Sequence, residues 1–331
     1  MKIFVYNVRP DEVSFIKEWQ TNHPDVEVAT TQDFFTVDTI DKAAGYTGIS
    51  ALQTIPYPRE LFKKMAAMHI TFLALRNVGV DNLDLQAASD YGIKISNVPA
   101  YSPYAIAEFS VTQVLNLLRR TKYIDRQQLA GDFHWSPDFM GHELRKQTVG
   151  VIGTGRIGRH AMAIYQAFGA SLMAYDPTIE AGDHDGVTYV ATPEEIFKVA
   201  DVITLHAPAV KSNFHLINAT TLKMMKPTAI IVNTARGALI DLDALQKALA
   251  NHEIAGAALD AFENETAAMQ QFDTTEKLTD PQLIALGKLP NVLLSPHMAF
   301  HTDVAVNNMV NGSLNSLLEF GRQNQSEFQV G

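Results

Sequence analysis

The stretch from Thr148 to Asp176, TVGVIGTGRIGRHAMAIYQAFGASLMAYD, constrains the fold more than any other part of the chain. An apolar run that reads as a strand leads into Gly153-x-Gly155-x-x-Gly158, and the glycines open a segment of helical period. A second apolar run, SLMAYD, follows. Strand, glycine turn, helix and strand in that order make a βαβ unit of the dinucleotide-binding kind. The first glycine allows the tight turn, the second lets the backbone approach a pyrophosphate, and the third lets helix and strand pack closely. The free N–H groups of the helix N-terminus then bind the phosphates. Asp176 ends the second strand, 18 residues after Gly158. A carboxylate there accepts hydrogen bonds from ribose hydroxyls and repels a 2′-phosphate, which favours NAD over NADP.

The same alternation runs through both halves. Before residue 98, KIFVY, VEVAT, GYTGISAL, ITFLALRN and IKISNV read as strands. Between them DEVSFIKEWQ sets Val13, Phe15, Ile16 and Trp19 on one helical face, TTQDFFTVDTID looks helical, PRELFKKMAAM is a helix, and NLDLQAASDYG is a short helix ending at Gly92. After Pro103 comes one long amphipathic helix, or two, and the flanking prolines mark a boundary; GDFHWSPDFMGHELRKQ reads as loop. From Thr148 onward six apolar strand candidates alternate with helices, and TDVAVNNMVNGSLNSLLEFGR is a final helix able to cross back onto the first domain. With 331 residues, this predicts two α/β domains with parallel sheets.

Several functions are disfavoured. A net charge of −10 argues against nucleic acid as the main partner. The chain has no cysteine, which excludes disulfides and thiolate metal sites and suits a reducing compartment. The opening MKIFVYNVRPDE does not read as a secretory leader, and no apolar run is long enough to span a membrane, so a cytoplasmic protein is expected. The sequons at Asn218, Asn264 and Asn311 are then chance matches. No metal is expected: GHELRKQ lacks a second histidine, His297 and His301 lack a third ligand, and Asp183–Asp185 reads as a solvated loop.

A nicotinamide dehydrogenase acting on a carbonyl needs a proton donor and a group that fixes and polarises its substrate. Open parallel sheets bind ligands at the carboxyl ends of their strands. There VNTARGALID places Arg236, whose guanidinium can fork onto a carboxylate. ALDAFENET places Asp260, Glu263 and Glu265, and LLSPHMAF places His297, an acid–base group suited to neutral pH. His206 in TLHAP is a second histidine of the same kind, and either histidine can equally be a satisfied structural one.

VGVIGTGRIGR, VNTARGALID and LLSPHMAF, in this order, resemble the NAD-dependent D-2-hydroxyacid dehydrogenases. ALRNVGVDNLDL and SNVPAYSPYAIAEFSV resemble the D-lactate and D-2-hydroxyisocaproate branch, so the resemblance covers nearly the whole chain. It implies two Rossmann-like, doubly wound domains with the active site in the cleft between them. Residues 1–101 plus 300–331 form a flavodoxin-like substrate domain, residues 102–299 bind NAD, and the helix after Pro103 supplies much of a homodimer interface. By the same resemblance Arg236 binds the substrate carboxylate and carbonyl. His297 is the proton donor in reduction, and Glu265 pairs with it and keeps it protonated over a wider pH range. The N–H groups of Val78 and Gly79 hold the carboxylate, with help from Tyr101. Arg156 and Ile157 cover the pyrophosphate. Ala207, Pro208, Asn213, Thr234 and Ala235 line the cofactor cleft, and Asp260 lies near Arg236 and the nicotinamide.

One position departs from the lactate-preferring pattern. Those members tend to carry Tyr where this chain has Leu52, in SALQTIPYP. Leucine is smaller and apolar, and with Phe300 and Tyr101 as other walls it leaves room for isobutyl or benzyl groups. The expected substrates are bulky 2-keto acids such as 2-ketoisocaproate and phenylpyruvate. The alternatives are a D-lactate dehydrogenase acting on pyruvate and an NAD(H)-sensing binding protein on the same fold.

Overall fold

The computed structural model describes residues 1–265, 267–268 and 277–330. The chain divides into two units: Met1–Ser102 with the residues from His301 onward, and Pro103–Phe300. Phe300, assigned above to the substrate domain, instead closes the second unit. The reason is local: the backbone N–H groups of Met298 and Ala299 donate to Asp260, which ties this segment to the second unit.

In the first unit the strands are β1 (Lys2–Val5), β2 (Glu27–Thr30), β3 (Gly48–Ala51), β4 (Phe72–Leu75) and β5 (Lys94–Ser96). They pair in parallel in the order β5-β4-β3-β1-β2. β1, β3 and β4 are almost continuously buried, as a parallel sheet covered on both faces requires. One face packs Phe4, Tyr6, Phe35 and Phe62. The other packs Ile3, Val5, Ile16 and Trp19 against Val310, Leu314 and Leu317 of the closing helix Asp303–Gln323.

Two local expectations fail here. In the helix Val13–Asn22 only Ile16 and Trp19 are buried; Val13 is exposed. Thr30 ends β2, and residues 31–39 form bends, a turn and irregular chain rather than a helix, followed by a short 3-10 turn at Ile40–Ala43. Side chains there capture the backbone: Asp33 N donates to Thr31 Oγ1, Thr36 N donates to Thr39 Oγ1, and Gln53 brackets Phe35 through its N–H and carbonyl. Such bonds compete with helix formation.

In the second unit the segment after Pro103 forms two helices, Pro103–Leu118 and Thr121–Leu129, broken at Arg120 with φ +53°. Then come β6 (Thr148–Ile152), β7 (Ser171–Tyr175), β8 (Gly182–His184), β9 (Val187–Tyr189), β10 (Val202–Leu205), β11 (Ile230–Asn233), β12 (Gly256–Leu259) and β13 (Val292–Leu294). The order is β13-β12-β11-β10-β6-β7-β9-β8, parallel except for β8. The expected loop at Asp183–Asp185 is instead one arm of a hairpin. Asp185, at φ +54°, turns it, and Asp183 accepts from Gly186 N. After the second unit the chain returns to the first sheet, where β14 (Gln329–Val330) pairs antiparallel with β5.

Candidate active site

In the second sheet β6 lies between β10 and β7, where the direction of winding reverses. Ligands bind open α/β sheets at such a point, outside the carboxyl ends of the strands. Gly153 follows β6 directly, with φ +87°, and a Cβ there would stand 2.6 Å from Ala207 N. A Cβ on Gly158 would stand 2.1 Å from Gly153 O, so any side chain would force helix and strand apart. Beyond Gly155 the space is open, and no side chain caps the helix Arg156–Ala167 that starts there. An uncapped N-terminus facing open space suits an anion.

Asp176 follows β7. One carboxylate oxygen accepts from Thr154 N at 2.9 Å and Thr154 Oγ1 at 3.0 Å; the other accepts from Thr178 N at 3.1 Å and Thr178 Oγ1 at 2.7 Å. Burial pushes this carboxyl up, but the Thr178 and Thr154 donors outweigh burial and hold it below its usual range. Asp176 is therefore an oriented anion at the end of β7. Ala207 and Pro208 follow β10, and Asn213 closes their loop by donating to Pro208 O and accepting from Val210 N. Thr234 Oγ1 and His206 Nδ1 are buried with no hydrogen-bond partner. Together the open glycine cradle, the uncapped helix, the oriented carboxylate and these orphaned polar atoms fit a bound dinucleotide. Among the described residues no cluster of His, Cys, Asp and Glu converges as a metal site.

Arg236 follows β11 with its guanidinium exposed, one Nη1 donating to Ala235 O at 2.8 Å. The turn that carries it is held by Asn233, whose fully buried amide donates to Arg236 O and Ala261 O and accepts from Ala235 N. Asn233 thus ties the Arg236 turn to the segment after β12.

His297 follows β13 at φ +52°, a left-handed conformation uncommon outside glycine. Asp260, 2% exposed, holds it there. Its carbonyl accepts from His297 N. Its carboxylate accepts from Ser295 Oγ at 2.5 Å and from Met298 N and Ala299 N, each at 2.9 Å. His297 Nδ1 lies 3.0 Å from Glu265 Oε1, although 32 residues separate them. The hydrogen bond to Glu265 raises the imidazole's pKa, against burial, with the charges of Glu265 and Asp260 adding and that of Arg236 opposing. His206 is the reverse case: burial pushes it down to about 4. Of these two histidines, His297 is the one able to hold a proton near neutral pH. The third acid of the ALDAFENET segment, Glu263, pairs instead with His215 at 2.7 Å.

In the first unit, Leu52 follows β3 and is half-buried, while Val78 and Gly79 follow β4. Tyr101 lies beyond β5, its carbonyl accepting from Asn308 Nδ2. Arg156 and Ile157 begin the helix after the glycine turn. Sequence reasoning overlooked Thr154, Asn233 and the clamp formed by Asp260. A small polar residue at a strand end carries no signal that separates a clamp from a turn.

With this geometry in view, residues 111–299 match the family model described as D-isomer specific 2-hydroxyacid dehydrogenase, NAD binding domain. The chain is 43% identical over its whole length to a D-2-hydroxyacid dehydrogenase (NAD+) of Lacticaseibacillus paracasei, covering 98% of that protein. It is 45% identical over its whole length to a D-lactate dehydrogenase of Lactiplantibacillus plantarum, covering 99% of it. Among solved structures, a D-2-hydroxyisocaproate dehydrogenase superposes with TM-score 0.93 at 43% identity, covering 100% of this chain and 99% of that one.

Proposed function

The chain belongs to the D-isomer-specific 2-hydroxyacid dehydrogenases, and within that family we propose that it reduces bulky 2-keto acids to D-2-hydroxy acids. It is an NAD-dependent oxidoreductase acting on the CH–OH group of 2-hydroxy acids. NADH, when bound, supplies the hydride that reaches C2 of the keto acid. The observation that carries the catalytic assignment is the 3.0 Å His297–Glu265 pair, with its raised imidazole pKa. Protonated His297 gives its proton to the carbonyl oxygen and takes it back in oxidation. Glu265 accepts from Nδ1, which fixes the ring and leaves Nε2 to donate. Arg236 holds the substrate carboxylate and polarises the carbonyl, and Asp260 keeps His297 in its left-handed pose.

The second unit binds the cofactor, through Gly153, Gly155, Arg156, Ile157 and Gly158 at the pyrophosphate and Asp176 at the ribose. Ala207, Pro208, Asn213, Thr234 and Ala235 line the rest of its site. In the first unit Val78 and Gly79 offer N–H groups to the substrate carboxylate, and Leu52 and Tyr101 contact its side chain; Phe300, in the second unit, is assigned to the side chain as well. The half-buried apolar Leu52 supports the bulky preference. Each further CH₂ it covers contributes about 0.8 kcal/mol of binding. The name of the Lactiplantibacillus plantarum relative favours a second reading, a D-lactate dehydrogenase acting on pyruvate. Steady-state NADH oxidation with 2-ketoisocaproate, phenylpyruvate and pyruvate separates them. A higher kcat/KM for the two bulky acids supports the first reading; a higher value for pyruvate establishes the second.

The working form in this reading is a cytoplasmic homodimer. The stripe of the helix Pro103–Leu118 is covered within its own unit by residues such as Ala161, Met162 and Tyr165. The large apolar side chains left exposed on this helix and just after it include Tyr104, Leu129, Phe133, Trp135 and Met140. At about 1.5–3 kcal/mol for each side chain fully buried, they supply a driving force for self-association. Among the described residues no helix is long and apolar enough to cross a membrane.

A further inference from the structure

The largest fully buried side chain in the first unit is an arginine. Arg76 and its partner Glu12 are each 0% exposed. Burying two charges is costly, and apolar residues of similar volume often give equal or better stability. Stability therefore does not account for the pair; its connections do. Arg76 directly follows β4. Nε donates to Glu12 Oε1 at 2.8 Å and Nη2 to Glu12 Oε2 at 3.3 Å. Nη2 also donates to the carbonyls of Tyr6 at 2.9 Å and Asn7 at 3.0 Å, beyond β1. Nη1 donates to Ser50 Oγ at 3.1 Å, on β3. Ser50 Oγ lies 2.7 Å from Ser313 Oγ of the closing helix. One guanidinium thus joins the carboxyl ends of three strands.

Two substrate elements hang directly from this knot. Asn7, gripped at its carbonyl by Arg76, donates its side-chain amide to Leu52 O at 2.6 Å. On the other side, the residues after Arg76 have all their carbonyls held. Asn77 O accepts from Val98 N, Val78 O from Asn97 Nδ2, and Gly79 O from Asn77 Nδ2. The N–H groups of Val78 and Gly79 have no acceptor among the described residues. A loop with its carbonyls tied back and two adjacent N–H groups unengaged is set up to receive an anion.

We propose that the Glu12–Arg76 pair is the positioning device of substrate binding, locking the carboxylate-binding N–H groups of Val78 and Gly79 in register with Leu52. This rests on the role given above to Val78, Gly79 and Leu52. Arg76 does not touch the substrate. Its charge is neutralised by Glu12, so it acts through geometry rather than through its field.

The test is the paired variant Glu12→Leu/Arg76→Met, which removes both charges together and avoids stranding one in the core. The expected result is a folded protein with wild-type NADH affinity, a KM for 2-ketoisocaproate raised about 10–100-fold, and a smaller preference between 2-ketoisocaproate and pyruvate. Backbone hydrogen exchange speeds up at the amides that anchor this loop, Val98 N on Asn77 O and residue 76 N on Ala51 O. A folded paired variant with wild-type KM and wild-type exchange overturns the proposal. Should the paired variant not fold, Arg76→Lys decides. It keeps the charge facing Glu12 but cannot reach Ser50 and both carbonyls, so KM and exchange must still rise, and wild-type values overturn the proposal. If the wild-type protein turns over no 2-keto acid, the functional reading has failed on its own. The exchange measurement then still decides whether the pair fixes the loop.

Discussion

Replacing Asp260 by asparagine changes one atom type at the centre of the site and has a calculable cost. The carboxylate accepts three hydrogen bonds: Ser295 Oγ and Met298 N on one oxygen, Ala299 N on the other. An asparagine can keep the first two on its carbonyl oxygen. Its NH₂ group then faces Ala299 N, donor against donor, at a residue 5% exposed. One charge-assisted bond is worth about 1.5–3 kcal/mol, and a stranded buried N–H costs about 1–3 kcal/mol. These overlap, so the expected loss is about 2–4 kcal/mol, or roughly 4–16 °C in the melting temperature of a unit this size. Function changes with stability. The loop that holds His297 at φ +52° is loosened, and a negative charge that raises the imidazole pKa is gone. The alkaline limb of the reductive pH–rate profile therefore moves to lower pH, and kcat falls. Thermal unfolding monitored by circular dichroism and kcat/KM against pH measure both effects. An Asp260→Asn protein with wild-type melting temperature and pH profile refutes the clamp.

Glu265→Gln leaves a hydrogen-bond acceptor but no charge. His297 must be protonated to donate, so reduction is flat below its pKa and falls above it, and in this variant the fall begins at lower pH. The stability supplied by the wild-type pair is fully present below the unfolded histidine pKa of about 6.5 and is lost as pH rises through the raised folded value. Urea unfolding at a series of pH values checks this. Asp176→Ala should weaken NADH binding about 10–100-fold and narrow the preference over NADPH, as measured by fluorescence titration. Leu52→Tyr should shift the kcat/KM ratio of 2-ketoisocaproate to pyruvate roughly 10–200-fold towards pyruvate. Phe133→Ser together with Trp135→Ser should convert a dimer to monomer in sedimentation velocity at micromolar concentration; an unchanged dimer places the interface elsewhere.

Much of the architecture is local information. The glycine turn, the strand before it and the acid ending the strand after it lie within 29 residues, from Thr148 to Asp176. Their steric and periodic rules act over that range. The buried parallel strands were legible for the same reason, as short apolar runs separated by helical segments. Residues 31–39 escape the helical reading because the hydroxyls of Thr31 and Thr39 bond to nearby backbone, and because Gln53, from outside the segment, brackets Phe35. A hydropathy pattern contains neither effect. The 183–185 hairpin was misread because its strands are short and polar and take their order from pairing.

The sequence by itself therefore determined the α/β class, the dinucleotide turn, the choice of NAD and, by resemblance, the family and the residues expected to carry the chemistry. Tertiary structure alone decided which groups meet. It set Glu265 on His297 rather than on His215, gave that second histidine to Glu263, and buried His206 so that it stays neutral. It also turned Asp260 into the clamp of the His297 loop and brought Glu12 to Arg76 across 64 residues. The physical reason is range. Periodicity and turn chemistry act between neighbours in the chain, whereas hydrogen bonds and charge interactions depend on distance in space, which the packing of strands and helices sets.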